Sequence, residues 1–196
     1  DNKSSVLILG DNLYHGNDLT PQLIKANKRK EGATIFVYPV SDPHRYGVAE
    51  FNNNKKVINL EEKPKNPKSQ YAVTGIYFFD NTAVSKAKDI KPSSRGELEI
   101  TSLNNLFLKE NNLFVEIMGR GMAWLDTGTF DSLHQAGTYI RLLERRQGLK
   151  VGCPEEIAWR NKWIDDKDLV KLAKNVLKSG YGEYLIRIQK DPFYQT

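Results

Sequence analysis

The sequence predicts an α/β fold in which a largely parallel sheet also carries an antiparallel hairpin. Residues 6–9 form a short apolar run stopped by Gly10, which is typical of a fully buried strand. Residues 33–40 are rich in β-branched and aromatic side chains and indicate a second buried strand. Apolar residues at near-helical spacing lie between the two runs. Because parallel strands require such a crossover connection, this strand–helix–strand unit predicts a parallel sheet.

Residues that favour the start and end of a helix, and a hairpin pattern, predict the next elements. Thr20 suits the N-cap of the crossover helix, Pro21 suits its first position and Gly32 suits its end. Two alternating runs at 48–50 and 57–60 flank the turn-rich segment NNNKK, which predicts an antiparallel hairpin.

The remaining pattern predicts further strands and helices and one domain boundary. Gly75 inside a strand indicates a bulge or a close backbone approach. The composition shifts after Gly148, where a loop and two helices are predicted, so we expect a core at 1–148 and a helical appendage at 149–196. The other predicted segments are strands within 72–80 and 113–119, helices within 81–90 and 96–111, and a strand end leading into a long helix within 123–148.

The charge pattern favours an anionic small molecule over a nucleic acid as the partner. The net charge is +5, yet Lys and Arg alternate with Asp and Glu in segments such as EEKPKNPK and ERRQGLK. No apolar run approaches the ~20 residues needed to cross a bilayer. We therefore expect neither a nucleic-acid nor a membrane partner.

The single cysteine, Cys153, excludes an internal disulfide framework. It lies beside Pro154 and has no histidine partner in sequence, so packing is a better interpretation than a catalytic nucleophile. An export signal pattern is also lacking, and the simplest expectation is a reducing, cytoplasmic location.

Two carboxylates follow apolar strand-like segments. Asp11 ends LILGD and Asp126 ends AWLD. Asp11 could instead serve an ordinary turn, and Asp126 could cap a helix, with Thr127 and Thr129 as rival caps. If both lie at strand ends of one sheet, they suit Mg²⁺, which takes one or two carboxylates together with waters and phosphates.

Two cationic residues are candidates for binding a phosphate. Lys63 follows a strand in EEKP, where it could meet a phosphate or form an exposed salt bridge. Arg95 precedes a helix in SSRGELEIT, where it could clamp a phosphate or be an ordinary surface residue.

Seven segments in order give the chain a strong family resemblance. They are LGDN, DPHRYGVAEF, EEKP, YAVTGIYFFD, RGELEIT, GRGMAWLDTGT and ERRQGLKVGCPEEIAWR. Together, over about residues 4–190, they resemble the sugar nucleotidyltransferases, and specifically the bacterial glucose-1-phosphate thymidylyltransferases. The resemblance implies a Rossmann-like three-layer α/β/α fold, of which this chain would be the C-terminal two-thirds, with a mixed sheet, a small antiparallel sugar-side subdomain and a C-terminal helical appendage.

The resemblance also implies a reaction and a metal. Glucose 1-phosphate would attack dTTP to give dTDP-glucose and pyrophosphate, in deoxysugar synthesis of the dTDP-rhamnose type that supplies lipopolysaccharide. By matching motifs, Asp11 and Asp126 would bind Mg²⁺, and Lys63 and Arg95 would act with them on the reacting phosphates.

The resemblance also implies roles for further residues that lie in the matching motifs. The implied sugar contacts are Tyr46, Gly47, Glu62, Lys63, Val73, Gly75 and Trp124. A second, regulatory nucleotide site at a subunit interface of a homotetramer would involve Gly16, Arg120, Glu156, Ile157 and Arg160.

One family motif is missing from the sequence. The family's N-terminal loop GGxGTRLxPxT, which cradles the triphosphate, does not occur. We therefore expect the chain to be a fragment without activity of its own, in which residues 6–10 form an inner strand of a larger sheet. A non-catalytic sugar-nucleotide-binding or regulatory module, a uridylyl-transferring relative and a metal-dependent glycosyltransferase remain alternatives.

Overall fold

The computed structural model of the chain describes residues 3–191, and these contain eight strands and seven α-helices. The strands are β1 (Ser5–Ile8), β2 (Asn12–His15), β3 (Ala33–Pro39), β4 (Gly47–Phe51), β5 (Val57–Glu62), β6 (Tyr71–Phe79), β7 (Leu113–Ile117) and β8 (Ala123–Asp126). The helices are α1 (Leu19–Lys28), α2 (Ala83–Lys88), α3 (Ile100–Lys109), α4 (Phe130–Gln147), α5 (Pro154–Arg160), α6 (Asp166–Asn175) and α7 (Tyr181–Lys190).

The chain divides into two compact units between Leu133 and His134. The first unit holds all eight strands and the second holds α5 to α7. The predicted boundary at residue 148 between a core and an appendage stays a prediction.

A mixed six-stranded sheet forms the centre of the first unit, which confirms the predicted α/β class. Its order is β5–β4–β6–β3–β7. β1 pairs with a part of β6 that does not pair with β4. The pair β3–β7 is parallel, whereas β6 is antiparallel to β1, β3 and β4. β1 and β3 therefore run in the same direction, as the crossover predicts, but β6 lies between them and runs antiparallel to both.

The predicted hairpin is present as β4 and β5. Gly47 faces Glu62 and Ala49 faces Leu60 in its antiparallel register. Val48 also pairs with Ala72 of β6, so the hairpin continues the main sheet.

Alternation along β3 explains how helices cover both faces of this sheet. Ile35 and Val37 pack in one core cluster with Phe107 of α3. Phe36, between them in sequence, points to the opposite face and packs in another cluster with Ala26 of α1. Helix, sheet and helix thus form three layers in this unit.

The expectation that residues 6–9 form a fully buried strand is wrong. All four residues of β1 are exposed, Val6 at 49% and Ile8 at 59%. One edge of β1 pairs with β6, and no other strand among residues 3–191 pairs with it. Apolar composition alone could not distinguish a central strand from one with a free edge.

The start and end of α1 differ from the prediction. The helix begins at Leu19 with Asp18 at the N-cap position, so Thr20 lies inside the first turn. Pro21 is tolerated there because the first four N–H groups of a helix have no partner within it. The helix ends at Lys28, and Gly32 instead turns the chain into β3 with a φ of +82°.

After residue 148, the described part of the second unit contains three short α-helices where two were predicted. Residues Leu169, Ala173, Leu185 and Ile188 form its core, and each is fully buried. Cys153 is also buried, with its Sγ 3.0 Å from the hydroxyl of Tyr181, which supports the packing interpretation. No helix among residues 3–191 is long and apolar enough to cross a membrane.

Candidate active site

A small two-stranded sheet brings the two predicted metal carboxylates together. β2 and β8 pair antiparallel with Asn12 opposite Asp126, so Asp11 lies beside the end of β8. The expectation that both carboxylates lie at carboxyl ends of one parallel sheet is wrong. Asp11 instead lies in the turn between β1 and β2, and Asp126 ends a strand of the smaller sheet.

Both carboxylates point towards the backbone of Gly128. A Cβ atom built on Gly128 would lie 3.2 Å from Oδ1 of Asp126 and 3.8 Å from Oδ2 of Asp11. The described residues contain no group of three or more His, Cys, Asp or Glu side chains able to hold a metal. A cation held here would therefore have two carboxylates and would complete its shell with water and phosphate oxygens, which fits Mg²⁺.

The cap of α4 is Thr129 rather than Asp126. Oγ1 of Thr129 accepts a hydrogen bond from the backbone N–H of Ser132 at 3.1 Å. Asp126 accepts a 3.2 Å bond from the N–H of Gly128, and its Oδ2 lies 3.5 Å from the guanidinium of Arg45. Capping therefore does not account for the position of Asp126.

An open cleft of about 490 Å³ lies beside this carboxylate pair. Nine of the ten predicted catalytic and sugar-binding residues line it, and Arg95 does not. The lining residues are Leu9, Asp11, Asn12, Arg45, Tyr46, Gly47, Glu62, Lys63, Val73, Thr74, Gly75, Tyr77, Ile100, Thr101, Trp124, Asp126, Gly128 and Thr129.

The β4–β5 register brings the two sugar-side motifs together. Gly47 and Glu62 are cross-strand partners, and the N–H of Lys63 donates to the carbonyl of Tyr46 at 3.0 Å. Lys63 has a φ of +44°, a conformation that residues with a Cβ rarely adopt. Its side chain is exposed, and it forms no ion pair within the part of the chain that the structure describes.

Helix α3 orients the Glu62 carboxylate. Oγ1 of Thr101, in the first turn of α3, donates to Oε2 of Glu62 at 2.5 Å. A Cβ on Gly47 would lie 3.0 Å from that hydroxyl and 3.3 Å from that carboxylate oxygen. The absence of a side chain at Gly47 therefore keeps this corner of the cleft open.

Aromatic rings form another wall of the cleft. The ring centres of Tyr46 and Trp124 are 4.9 Å apart. Burial raises the pKa of Tyr46, so its phenol stays protonated at neutral pH. Trp124 is 8% exposed, and its indole Nε1 donates to Oδ1 of Asn12 at 2.6 Å.

The floor of the cleft is β6. Residues Val73, Gly75 and Tyr77 share one face of the strand because side chains alternate. A Cβ on Gly75 would lie 2.8 Å from Cβ of Leu9 and 2.9 Å from Cγ of Asn12. This confirms the close approach predicted from a glycine inside a strand.

Arg95 lies outside the cleft lining. Its guanidinium pairs with Glu97 and lies 3.4 Å from Oε1 of Glu99. The hydrogen bond to Glu97 raises the pKa of Arg95, which remains fully charged. Its predicted contact with the sugar phosphate stays a prediction.

The predicted regulatory residues fall in both units. In the first, a Cβ on Gly16 would lie 3.0 Å from the carbonyl oxygen of Gly121, next to the exposed Arg120. In the second, Glu156, Ile157 and Arg160 lie on α5, where Nε of Arg160 donates to Oε1 of Glu156 at 2.8 Å. Their regulatory role stays a prediction.

Nine of the residues that line the cleft were not predicted as site residues, and four of them have polar side chains that bear on the site: Asn12, Arg45, Tyr77 and Thr101. Asn12 and Arg45 lie within the quoted motifs LGDN and DPHRYG, beside Asp11 and Tyr46. Tyr77 could have been found from the two-residue period through Val73 and Gly75. Thr101 ends the quoted motif RGELEIT, but its contact with Glu62 could not be predicted, because it forms only after α3 packs on the hairpin.

Comparisons with known proteins agree with the motif resemblance. A family model described as nucleotidyl transferase matches residues 1–141. The glucose-1-phosphate thymidylyltransferase of Neisseria meningitidis is 50% identical over 96% of this chain and 66% of its own length. The protein of the same name from Xanthomonas campestris pv. campestris is 54% identical over 96% of this chain and 64% of its own length. The resemblance stated from the motifs is confirmed.

Solved structures agree with the fold. A Bacillus anthracis chain described as a glucose-1-phosphate thymidylyltransferase, in complex with sucrose, superimposes with a TM-score of 0.64 at 46% identity, over 71% of this chain and 55% of that one. A UDP-glucose pyrophosphorylase with bound UDP-glucose gives a TM-score of 0.62 at 19% identity, over 72% of this chain and 57% of that one, and supports the fold alone.

The chain spans about two thirds of the length of the curated relatives that it matches. The nucleotidyl transferase model, in contrast, matches well over half of this chain. The chain belongs to the nucleotidyl transferase family.

Proposed function

We propose that this chain carries the sugar-binding and metal-binding part of an enzyme that transfers a thymidylyl group from dTTP to glucose 1-phosphate. An oxygen of the sugar phosphate attacks the α-phosphorus of dTTP and forms a new P–O bond. The bond between the α-phosphorus and the bridging oxygen breaks, and pyrophosphate leaves with that oxygen. The products are dTDP-glucose and pyrophosphate.

The observation that carries this proposal is the convergence of Asp11 and Asp126 on Gly128 at one end of the cleft. Phosphoryl and nucleotidyl transfer depend on positioning and on neutralising charge rather than on a covalent partner. Asp11 and Asp126 would hold Mg²⁺, which when bound neutralises negative charge on the reacting phosphates.

The other side of the cleft suits a phosphorylated sugar. Glu62, whose carboxylate accepts a hydrogen bond from Thr101, would also accept hydrogen bonds from sugar hydroxyls. The ammonium group of Lys63 is exposed beside it and would meet the sugar phosphate. The remaining walls are the backbone at Gly47, the β6 residues Val73 and Gly75, and the ring of Trp124. In this proposal, Arg95 also contacts the sugar phosphate.

The finer assignments follow from the same proposal. We place the enzyme in the cytoplasm, as a homotetramer that makes dTDP-glucose for dTDP-rhamnose and lipopolysaccharide. Its relatives named glucose-1-phosphate thymidylyltransferase support the choice of substrates. We assign regulatory nucleotide binding to Gly16, Arg120, Glu156, Ile157 and Arg160.

Product formation by the full-length protein, meaning the whole product of the gene that encodes this sequence, tests the proposal. With Mg²⁺, dTTP and glucose 1-phosphate, we expect stoichiometric dTDP-glucose and pyrophosphate, detected by chromatography and a coupled phosphate assay. Equal turnover of UTP would favour a uridylyl-transferring relative. Binding of dTDP-glucose with no product would favour a non-catalytic module.

A matched pair of lysine variants tests the sugar-phosphate contact. Lys63→Met removes one charge-assisted hydrogen bond, worth ~1.5–3 kcal/mol, so we expect the KM for glucose 1-phosphate to rise ten-fold or more. Lys65→Met removes the same charge from an exposed residue outside the cleft lining and is the control. Equal effects of the two variants would argue against a specific role for Lys63.

A further inference from the structure

The Asn12 side chain lies between the indole of Trp124 and the carboxylate of Asp11. Nε1 of Trp124 donates to Oδ1 of Asn12 at 2.6 Å, and Nδ2 of Asn12 donates to Oδ1 of Asp11 at 2.8 Å. An indole nitrogen can only donate and an ionised carboxylate can only accept. Both neighbours therefore require the same orientation of the amide, which leaves the Asn12 side chain no alternative flip.

Two further residues fit this arrangement of Asn12. A Cβ on Gly75 would lie 2.9 Å from both Cγ and Oδ1 of Asn12, so the amide needs the bare backbone of β6 beneath it. The hydroxyl of Tyr14 lies 3.5 Å from the same Oδ1. Burial raises the pKa of Tyr14 to about 12, so this phenol keeps the proton that it directs towards Asn12 at neutral pH.

The backbone of Asp11 is held separately from its side chain. Both the N–H and the hydroxyl of Thr127 donate to the carbonyl of Asp11, each at 2.8 Å. With the backbone fixed by Thr127, the remaining freedom of Asp11 is rotation of its carboxylate. The bond from Asn12 to Oδ1 restricts that rotation and leaves Oδ2 on the side of Gly128 and Asp126.

We propose that Trp124 is a positioning residue of the metal site, whose indole N–H acts through Asn12 to hold the Asp11 carboxylate towards Asp126. This rests on the proposed function, because it presumes that the two carboxylates bind a divalent cation. It assigns the indole a role beyond that of an apolar wall. Hydrogen bonds that orient metal ligands in this way typically change metal affinity 10- to 100-fold when they are removed.

Substitution by phenylalanine separates the two roles of Trp124. Trp124→Phe keeps an aromatic wall against Tyr46 and removes the N–H. Tyr38→Phe is the matched control, because Tyr38 packs edge-on against Trp124 at 6.1 Å but donates its hydroxyl to the carbonyl of Met122, away from Asn12. Asp126→Asn removes a proposed ligand and tests the metal site itself.

The first measurement is the affinity of the full-length protein for Mn²⁺, by calorimetry and by electron paramagnetic resonance, without sugar or nucleotide. We expect Trp124→Phe to weaken Mn²⁺ binding about ten-fold, Tyr38→Phe to leave it unchanged and Asp126→Asn to abolish it. In an Asn12→Ala background, Trp124→Phe should have no further effect on Mn²⁺ affinity, because the link from the indole to Asp11 is already broken.

Two outcomes would contradict the proposal. If Trp124→Phe binds Mn²⁺ as tightly as wild type while Asp126→Asn binds none, the positioning role is overturned and the proposed function stays intact. Mn²⁺ binding that is indifferent to Asp126→Asn would overturn both.

The second measurement does not depend on the folding of a tryptophan variant. We expect the indole N–H resonance of Trp124 in ¹⁵N-labelled wild-type chain to be protected from exchange and to lose that protection in Asn12→Ala. The resonances of Trp159 and Trp163 provide internal references, since Trp159 donates instead to Asp166 and Trp163 is 74% exposed. An unchanged Trp124 resonance in Asn12→Ala would contradict the hydrogen bond on which the proposal depends.

Discussion

Asn12 and Asp126 face each other across the antiparallel pair β2–β8. This pairing brings Asp11, which precedes Asn12, to the carboxylate of a residue far away in sequence. It also brings Trp124, two residues before Asp126 in β8, within reach of the Asn12 amide. The small sheet therefore builds the candidate metal site, and the large sheet supplies the cleft beside it.

Thr101→Val should weaken binding of glucose 1-phosphate. The substitution preserves shape but removes the donor that holds Oε2 of Glu62. Loss of one such bond to a charged group costs about 1.5–3 kcal/mol, so we expect at least a ten-fold rise in the dissociation constant measured by calorimetry on the full-length protein. Thr101→Ser keeps the hydroxyl and should bind nearly as well as wild type. Equal weakening by both variants would show that the methyl group matters rather than the bond.

Asp80 should make stability depend on pH in the acid range. Burial acts to raise its pKa, but hydrogen bonds from the hydroxyl of Thr82 and from the N–H groups of Gly32 and Thr82 outweigh it and hold the pKa below its usual value. The folded state therefore binds this proton less readily than the unfolded state. The stabilisation is complete above the ordinary pKa of about 4 and is lost as the pH falls through the lower folded value.

Urea denaturation of wild type and Asp80→Asn over pH 3 to 7 measures this effect. We expect the variant to be less stable by ~1–3 kcal/mol at pH 7 and the difference to shrink below about pH 4. Asp89→Asn, at the exposed C-cap of α2, is the control and should differ little from wild type in stability at pH 7. If the difference in stability between wild type and Asp80→Asn did not change with pH, the charge of Asp80 would contribute nothing to stability.

Gly182→Ala should destabilise the second unit. A Cβ there would lie 2.4 Å from the carbonyl oxygen of Ala173 and 2.7 Å from the backbone nitrogen of Leu177, and backbone atoms cannot yield as a flexible side chain can. Overpacking of this kind costs ~1–3 kcal/mol. Gly137→Ala, inside α4 with nothing within 4 Å of the added carbon, should be stabilising by ~0.5–1 kcal/mol. Denaturation monitored by circular dichroism should give Gly182→Ala a lower free energy of unfolding than wild type and Gly137→Ala a higher one. A destabilised Gly137→Ala would contradict this account.

The sequence pattern predicted the elements of the large sheet and the strand β8, but not β2 or its pairing with β8. The β4–β5 hairpin and the covering helices were predictable because alternation and helical periodicity extend over several residues. β2 has four half-buried residues and no alternation, and its partner β8 is distant in sequence. Such pairing depends on the assembled fold. The two carboxylates could therefore be proposed as a pair, but the pairing of β2 with β8 that brings them together could not be predicted.

The candidate site was predictable where a motif carried it. Glu62, Lys63, Tyr46 and Gly47 were proposed from two short segments, and the hairpin register brings those segments together. The hydrogen bond from Thr101 to Glu62 and the indole–amide contact of Trp124 with Asn12 arise only from tertiary packing. Arg95 was proposed from its motif, yet it pairs with Glu97 and Glu99 outside the cleft lining.

The turnover of Asp126→Asn tests the central claim most directly. Amide replacement keeps the size of the side chain and removes the negative charge that would hold Mg²⁺ beside Asp11. In the full-length protein, with dTTP and glucose 1-phosphate, we expect the rate of dTDP-glucose formation to fall by orders of magnitude while the circular dichroism spectrum and Tm stay unchanged. Near-normal turnover by a folded Asp126→Asn protein would contradict the account.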